Sequence, residues 1–250
     1  FAARDGDDYV VNGQKVWTSR ALYSDLMLLL ARTTPADQVT RKTDGLSVFL
    51  VDMQQAREAG GLEIRPLRAM INHNTTEVFF NNMRIPGASL IGEEGKGFRY
   101  ILDGINAERI LIASECLGDG KWFTNKAAAY AKDRVVFGRP IGQNQGVQFP
   151  IARGYAELYA AELMLRRACT LFDDVQPCGE EANLAKLLAS EASWKAGEAC
   201  LQTHGGFGYA VEYDVERKWR EPRLFQLAPA SPNLILAYLS EPVLGLPRSY

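Results

Sequence analysis

The sequence changes character once, at RIPGASLIGEEGKGF (residues 84–98), where Pro86, Gly87, Gly92, Gly95 and Gly97 crowd together. Before this stretch, apolar and β-branched residues alternate in short runs. After it they recur every three or four residues over long spans. Strands followed by long helices, without alternation of the two, predict an α+β chain: an antiparallel β domain over residues 1–88, then an up-down four-helix bundle over residues 89–250.

Within the first part, DYVVNGQKVWTS sets Asn12-Gly13 between apolar runs and predicts a two-residue hairpin turn there. Further strands are predicted over 26–33, 46–52, 62–67 and 77–85, with 34–44 as the most exposed connection. Helices are predicted over 97–133, 148–174 and 180–202, with a short piece near Val215 and a last one from 231 to about 239.

Composition excludes several classes of function. A net charge of -2 argues against a general nucleic-acid binder, which collects a basic excess on one face. Cys116, Cys169, Cys178 and Cys200 share no short ligand spacing, and with only His73 and His204 beside them no metal site is expected. The longest apolar run, 26–31, is too short to span a bilayer. Free thiols point to a reducing compartment, cytoplasmic or mitochondrial matrix. The start at Phe1, already in strand pattern, suggests that a preceding segment has been removed.

Four features carry possible chemistry. In CLQTHGGFGYAVEYD, residues 200–214, the glycine pair follows a predicted helix. Gly205 and Gly206 therefore stand where a C-cap belongs, or where bare backbone comes close to a phosphate. On the first long helix Glu108 falls in a stripe with Phe98, Ile101, Ile105 and Ile112. A carboxylate there either pairs with an arginine from another helix or serves as a general base in an apolar pocket. Trp17 and Ser19 share a strand face by alternation, and a flat polar ring packed on the indole would satisfy both, although a core tryptophan is the ordinary explanation. Arg134 stands in a glycine- and proline-bounded turn that suits an anion. Arg217, Lys218, Arg220 and Arg223 alternate with acids and read as solvated surface.

Taken together, KVWTSR, AERILIASECLG, AKDRVVFGRPIGQNQGVQFPIA, QTHGGFGY and EPRLFQLAPAS, in this order along the chain, resemble the acyl-CoA dehydrogenase family of FAD flavoproteins. The resemblance covers the middle β domain and the C-terminal helical domain; the N-terminal helical domain of the family is missing. It implies FAD as cofactor, an acyl-CoA substrate, an electron-transfer flavoprotein or similar acceptor, and a homo-oligomer, dimer or tetramer. It also implies that Trp17, Thr18 and Ser19 lie against the flavin ring, with Ser19 near N5. Arg134, Phe137, Gln145, Gln202, His204, Gly205 and Gly206 match positions that hold the FAD of a neighbouring subunit. Asn106 and Arg109 match positions near the CoA part of the substrate.

The sequence departs from the family at LFQLAPASPN. Many relatives carry a glutamate in this loop that removes the α proton of the thioester and whose own backbone N–H helps polarise the carbonyl, followed by small and hydroxyl residues. Here Pro229 stands at that position, after Ala228, and proline has neither carboxylate nor N–H. Glu108 falls where the isovaleryl-type and long-chain members keep their base. The leading expectation is α,β-desaturation of an acyl-CoA with Glu108 as base and hydride transfer to flavin N5. A flavin-dependent oxidase or monooxygenase, or a catalytically silent flavin-binding member, are the alternatives.

Overall fold

A computed structural model describes residues 1–249 apart from Asn72 and, for Asp103, the backbone alone. The chain separates into two compact units, Phe1–Gly104 and Ile105–Tyr250.

The first unit holds β1 (Ala2–Asp5), β2 (Asp8–Ser19), β3 (Leu26–Arg32), β4 (Leu46–Asp52), helix α1 (Met53–Glu58), β5 (Leu62–Pro66), β6 (Thr75–Pro86) and β7 (Leu90–Ile91). They form two antiparallel sheets, ordered β1-β2-β6-β5 and β3-β4-β7. Tyr9 and Val11 of β2, Leu29 of β3, Phe49 and Val51 of β4, and Val78 and Phe80 of β6 alternate inward and merge into one core between the sheets.

The predicted turn at Asn12-Gly13 is not a turn. β2 runs straight through it, and the hairpin closes instead at Gly6-Asp7, between the paired Asp5 and Asp8, with Gly6 at φ +63°. Asn12 takes part in a β-bulge: Asn81 and Asn82 of β6 oppose it, and Asn82 adopts φ +48°. The Asn12 side chain clamps the bulge, accepting from the Asn82 N–H at 2.8 Å and donating to Asn82 Oδ1 at 3.0 Å. The amide that suits asparagine to turns is thus spent on irregular backbone within a strand.

The glycine-rich stretch that follows residue 88 is bound to the β unit. β7 pairs with β4, Tyr9 donates to Glu94 Oε2 at 2.8 Å, and the Gly95 N–H donates to Ser47 Oγ at 2.8 Å. A Cβ on Gly97 would stand 2.6 Å from the Ser47–Val48 backbone, so only glycine lets the next helix start this close to β4.

That helix, α2 (Gly97–Asp133), is followed by the small hairpin β8 (Val135–Val136) and β9 (Arg139–Pro140), then α3 (Gln145–Asp173), α4 (Gly179–His204), α5 (Val215–Phe225) and α6 (Pro232–Tyr238). The second unit packs α2, α3, α4 and α5 around one core that is rich in alanine. Ala185, Ala189, Ala192 and Ala196 line α4 at three- and four-residue spacing, and Phe123 of α2 is wholly buried among them. Small side chains let the helices approach closely; the room for a bulky residue is narrow. α6 adds a satellite cluster of Leu187, Ala230 and Ile235.

Among the described residues no helix is long and apolar enough to cross a membrane, and no group of three or more metal-ligating side chains converges. All four cysteines are free thiols; burial pushes Cys116 and Cys200 up to about 12. The tail of basic residues is only partly solvated surface. Arg217 pairs with Asp214 and Glu221, and Arg220 with Glu216, along α5, but Lys218 is largely buried and reaches Asp119 of α2 at 2.5 Å.

Candidate functional site

In the β unit, Trp17 sits in a second bulge of β2, where Val16 and Trp17 oppose Glu77. Its φ is +65° and 70% of its surface is exposed. A bulky residue rarely tolerates this backbone conformation, which costs roughly 1–3 kcal/mol and persists only where its surroundings enforce it. They do so here. Thr18 and Ser19 pair with Thr76 and Thr75, the Thr76 hydroxyl donates to the Thr18 carbonyl at 2.7 Å, and the Arg20 N–H donates to the Asn74 carbonyl at 2.9 Å. The alternation that put Trp17 and Ser19 on one face is therefore broken at Trp17 itself. A strained backbone that presents an indole to the outside is a stronger pointer to a flat ligand than the pattern was.

In the helical unit, Arg134, Gln202, His204, Gly205 and Gly206 line a single cavity of about 630 Å³. Tyr130 and Phe207 complete its aromatic wall. His204 is 3% exposed; its ring stacks on Tyr130 at 4.1 Å and meets Tyr213 edge-on at 5.9 Å. Nδ1 faces the Cys200 carbonyl at 2.8 Å and so carries the proton, which leaves Nε2 as an acceptor. That Nε2 is buried and has no partner. Burial lowers the pKa of the ring, the Cys200 carbonyl opposes this, and Lys126 adds to the lowering. Arg134 lies with its guanidinium carbon 5.5 Å from the Phe207 ring centre.

The two glycines divide the roles that the sequence left open. Gly205 ends α4 at φ +57° and ψ −133°, with its N–H donating to the Gln202 and Leu201 carbonyls, which makes it a helix stop that only glycine adopts easily. Gly206 is under no such constraint, and a Cβ on it would meet nothing within 4 Å. The chain itself has no need of glycine there. Gly205→Ala is accordingly expected to cost roughly 1–3 kcal/mol of stability, and Gly206→Ala less than about 0.5, in urea unfolding of the flavin-free protein.

Two sequence-chosen residues lie outside this cavity. Phe137 is fully exposed at the tip of the β8–β9 hairpin, at φ +53°, and Gln145 is exposed in the first turn of α3. A larger groove of about 700 Å³ between α2 and α3 holds none of the expected residues; Lys121 and Arg166 there both pair with Glu162 at 2.7 Å.

Arg109 donates to Asn106 Oδ1 at 3.0 Å on the same face of α2, and its Nε is buried without a partner. Burial lowers its pKa, with Tyr238 and Glu108 opposing. Glu108 corrects an expectation: it is exposed, and among the described residues it makes no ion pair within 4 Å. The stripe around it is shallow, since Ile105 and Ile112 are only half-buried and full burial on this helix begins at Ala113. Sequence reasoning also passed over Lys186, a lysine in the apolar run NLAKLLAS that has no exposed surface at all.

Comparison with known proteins identifies the family. Residues 1–83 match the acyl-CoA dehydrogenase middle domain and residues 95–229 the acyl-CoA dehydrogenase C-terminal domain. The chain is 34% identical over 255 residues to acyl-CoA dehydrogenase fadE12 of Mycobacterium bovis, an alignment that takes in 100% of the chain and 63% of the relative. An acyl-CoA dehydrogenase of Bacillus subtilis is 34% identical over 244 residues, covering 98% of the chain and 63% of that protein. The crystal structure of acyl-CoA dehydrogenase from Geobacillus kaustophilus superposes with a TM-score of 0.91 at 27% identity, over 98% of this chain and 63% of that one. The chain thus spans about 63% of the length of these relatives. It belongs to the acyl-CoA dehydrogenase family, of which it comprises the middle and C-terminal domains.

Proposed function

We propose that the protein is an FAD-dependent acyl-CoA dehydrogenase that desaturates an acyl-CoA thioester between its α and β carbons. The observation that carries the flavin part is the cavity at the end of α4. There a cation, a buried imidazole nitrogen without a partner and a glycine the fold does not require line one space. A dinucleotide fits these needs, because its diphosphate suits Arg134 and the bare backbone of Gly206, while its hydroxyls can donate to His204 Nε2. Gln202, Gln145 and the exposed Phe137 would help hold that group, the FAD of a neighbouring subunit, while Trp17, Thr18 and Ser19 would lie against the flavin ring of a separate FAD bound by this chain's β unit. The bound cofactor supplies the hydride acceptor that no side chain provides.

The chain's own residues bind and deprotonate. Arg109, oriented by Asn106, holds the CoA end. Glu108, the next residue on α2, accepts the α proton at its carboxylate. Its exposure leaves room for a substrate whose acyl chain, laid on Ile105 and Ile112, supplies the dry surroundings that the helix lacks. This reading implies an electron-transfer flavoprotein or similar electron acceptor as partner, and a homo-oligomer as the working form.

The test is anaerobic mixing of the full-length flavin-loaded protein with a panel of acyl-CoAs. Loss of visible flavin absorbance supports desaturation. No bleaching by any member would overturn it, and peroxide or oxygenated product from a non-thioester substrate would favour the oxidase reading that Pro229 motivates.

A further inference from the structure

Lys186 lies in the middle of α4 with no exposed surface, and its Nζ donates to the Ala230 carbonyl at 2.7 Å. Among the described residues no carboxylate is paired with it; the electrostatic influences on it are Cys116 and Arg109. A buried ammonium without a counter-ion is costly, and an apolar side chain of equal length would fill the space more cheaply. Among the described residues the Lys186 Nζ has the Ala230 carbonyl as hydrogen-bond partner. Burial lowers its pKa, the Cys116 thiol opposes this, and Arg109 adds to the lowering.

The carbonyl it holds belongs to the turn between α5 and α6, one residue before Ser231, whose hydroxyl caps α6. The Leu227 and Ala228 N–H groups both return to the Leu224 carbonyl, while Leu227 and Pro229 are exposed. Among the described residues, the Lys186 bond is the one hydrogen bond that ties this turn to α4. One lysine therefore ties the turn between α5 and α6 to the middle of α4.

We propose that Lys186 is a positioning residue, which by holding the Ala230 carbonyl sets the turn 227–230 in place for the thioester substrate. The role rests on the proposed acyl-CoA reaction. It is distinct from the proton transfer at Glu108, and it explains how a turn without a base and without an N–H at Pro229 still has a fixed shape.

The experiment uses the full-length holoenzyme. Lys186→Met keeps the length and removes the donor. Expected are unchanged flavin content, faster amide exchange confined to the peptide covering 226–236, and a fall in kcat/KM for acyl-CoA of about 10- to 100-fold, mostly in KM. Lys186→Arg, which keeps a cationic donor, should recover most of the loss. A folded Lys186→Met with kcat/KM within about twofold of wild type and unaltered exchange would overturn the proposal. If Lys186→Met does not fold, Lys186→Gln, whose amide stops short of Ala230, decides by the same readouts; failure of both to fold assigns the lysine to the fold alone and also overturns it. Should the wild type itself be reduced by no acyl-CoA, the reaction falls, while the exchange of 226–236 still judges the anchoring.

Discussion

Glu108→Gln in the full-length holoenzyme should slow flavin reduction by acyl-CoA by at least about a hundredfold, with FAD still bound. The amide matches the carboxylate in shape but cannot accept the α proton, and the turn that carries the base in many relatives offers only Ala228 and Pro229. Because Glu108 is exposed and makes no ion pair among the described residues, the change should alter stability by less than about 0.5 kcal/mol. Rapid-mixing absorbance beside a thermal melt separates these effects. Reduction at the wild-type rate would place the base elsewhere.

Lys218→Met should be among the most destabilising single changes in the helical unit, by about 3–5 kcal/mol. Its ammonium joins Asp119, 8% exposed, to Glu221, which keeps Arg217 as a second partner. Asp119 has no such reserve: one of its oxygens is already buried without a partner. Burial alone would lower Lys218, but its hydrogen bonds to Asp119 and Glu221 raise it, whereas burial raises the Asp119 carboxyl above its ordinary value even with Lys218 beside it, so the desolvation cost falls on the carboxylate. The native state therefore holds the Asp119 proton more tightly than the unfolded chain, and the carboxyl's contribution to stability falls as pH rises from about 4. Removing the lysine sharpens that fall. Denaturant unfolding at several pH values checks it, with Asp119→Leu/Lys218→Met expected to regain most of the loss. A single variant as stable as wild type would show that the pair is solvated and idle.

How far the sequence speaks for itself depends on whether the signal is repeated. The helix predicted over 97–133 is α2, Gly97–Asp133, because apolar residues recur at three- and four-residue steps from Phe98 and no proline interrupts the span. The strand predicted over 46–52 is likewise β4. Single-residue signals fared worse. Asn12-Gly13 is the dipeptide of a tight turn, yet its side chain and backbone build a bulge, a choice made by Asn82 across the sheet, seventy residues away. Strand alternation failed at Trp17 for the same reason, since a bulge resets the phase.

Charge in an apolar run also needs depth to be read correctly. Glu108 and Lys186 obey the same rule, but the stripe under Glu108 is shallow and that under Lys186 is deep, and only three-dimensional packing tells them apart. Around the candidate diphosphate cavity, local chemistry pointed to Gly205, Gly206 and Arg134, and the family resemblance added Gln202 and His204. The structure brings these five to one space and adds Tyr130, which no local pattern singled out.

The account rests on the turn after α4 lying along a dinucleotide's diphosphate, and the FAD affinity of Gly206→Ala measures this most directly. In the flavin-free protein the added methyl has open space and should leave the melting temperature unchanged. In reconstitution of the full-length protein it should weaken FAD binding by about tenfold or more, because the methyl occupies the approach of the phosphate. Equal affinity in variant and wild type would contradict the assignment of that cavity.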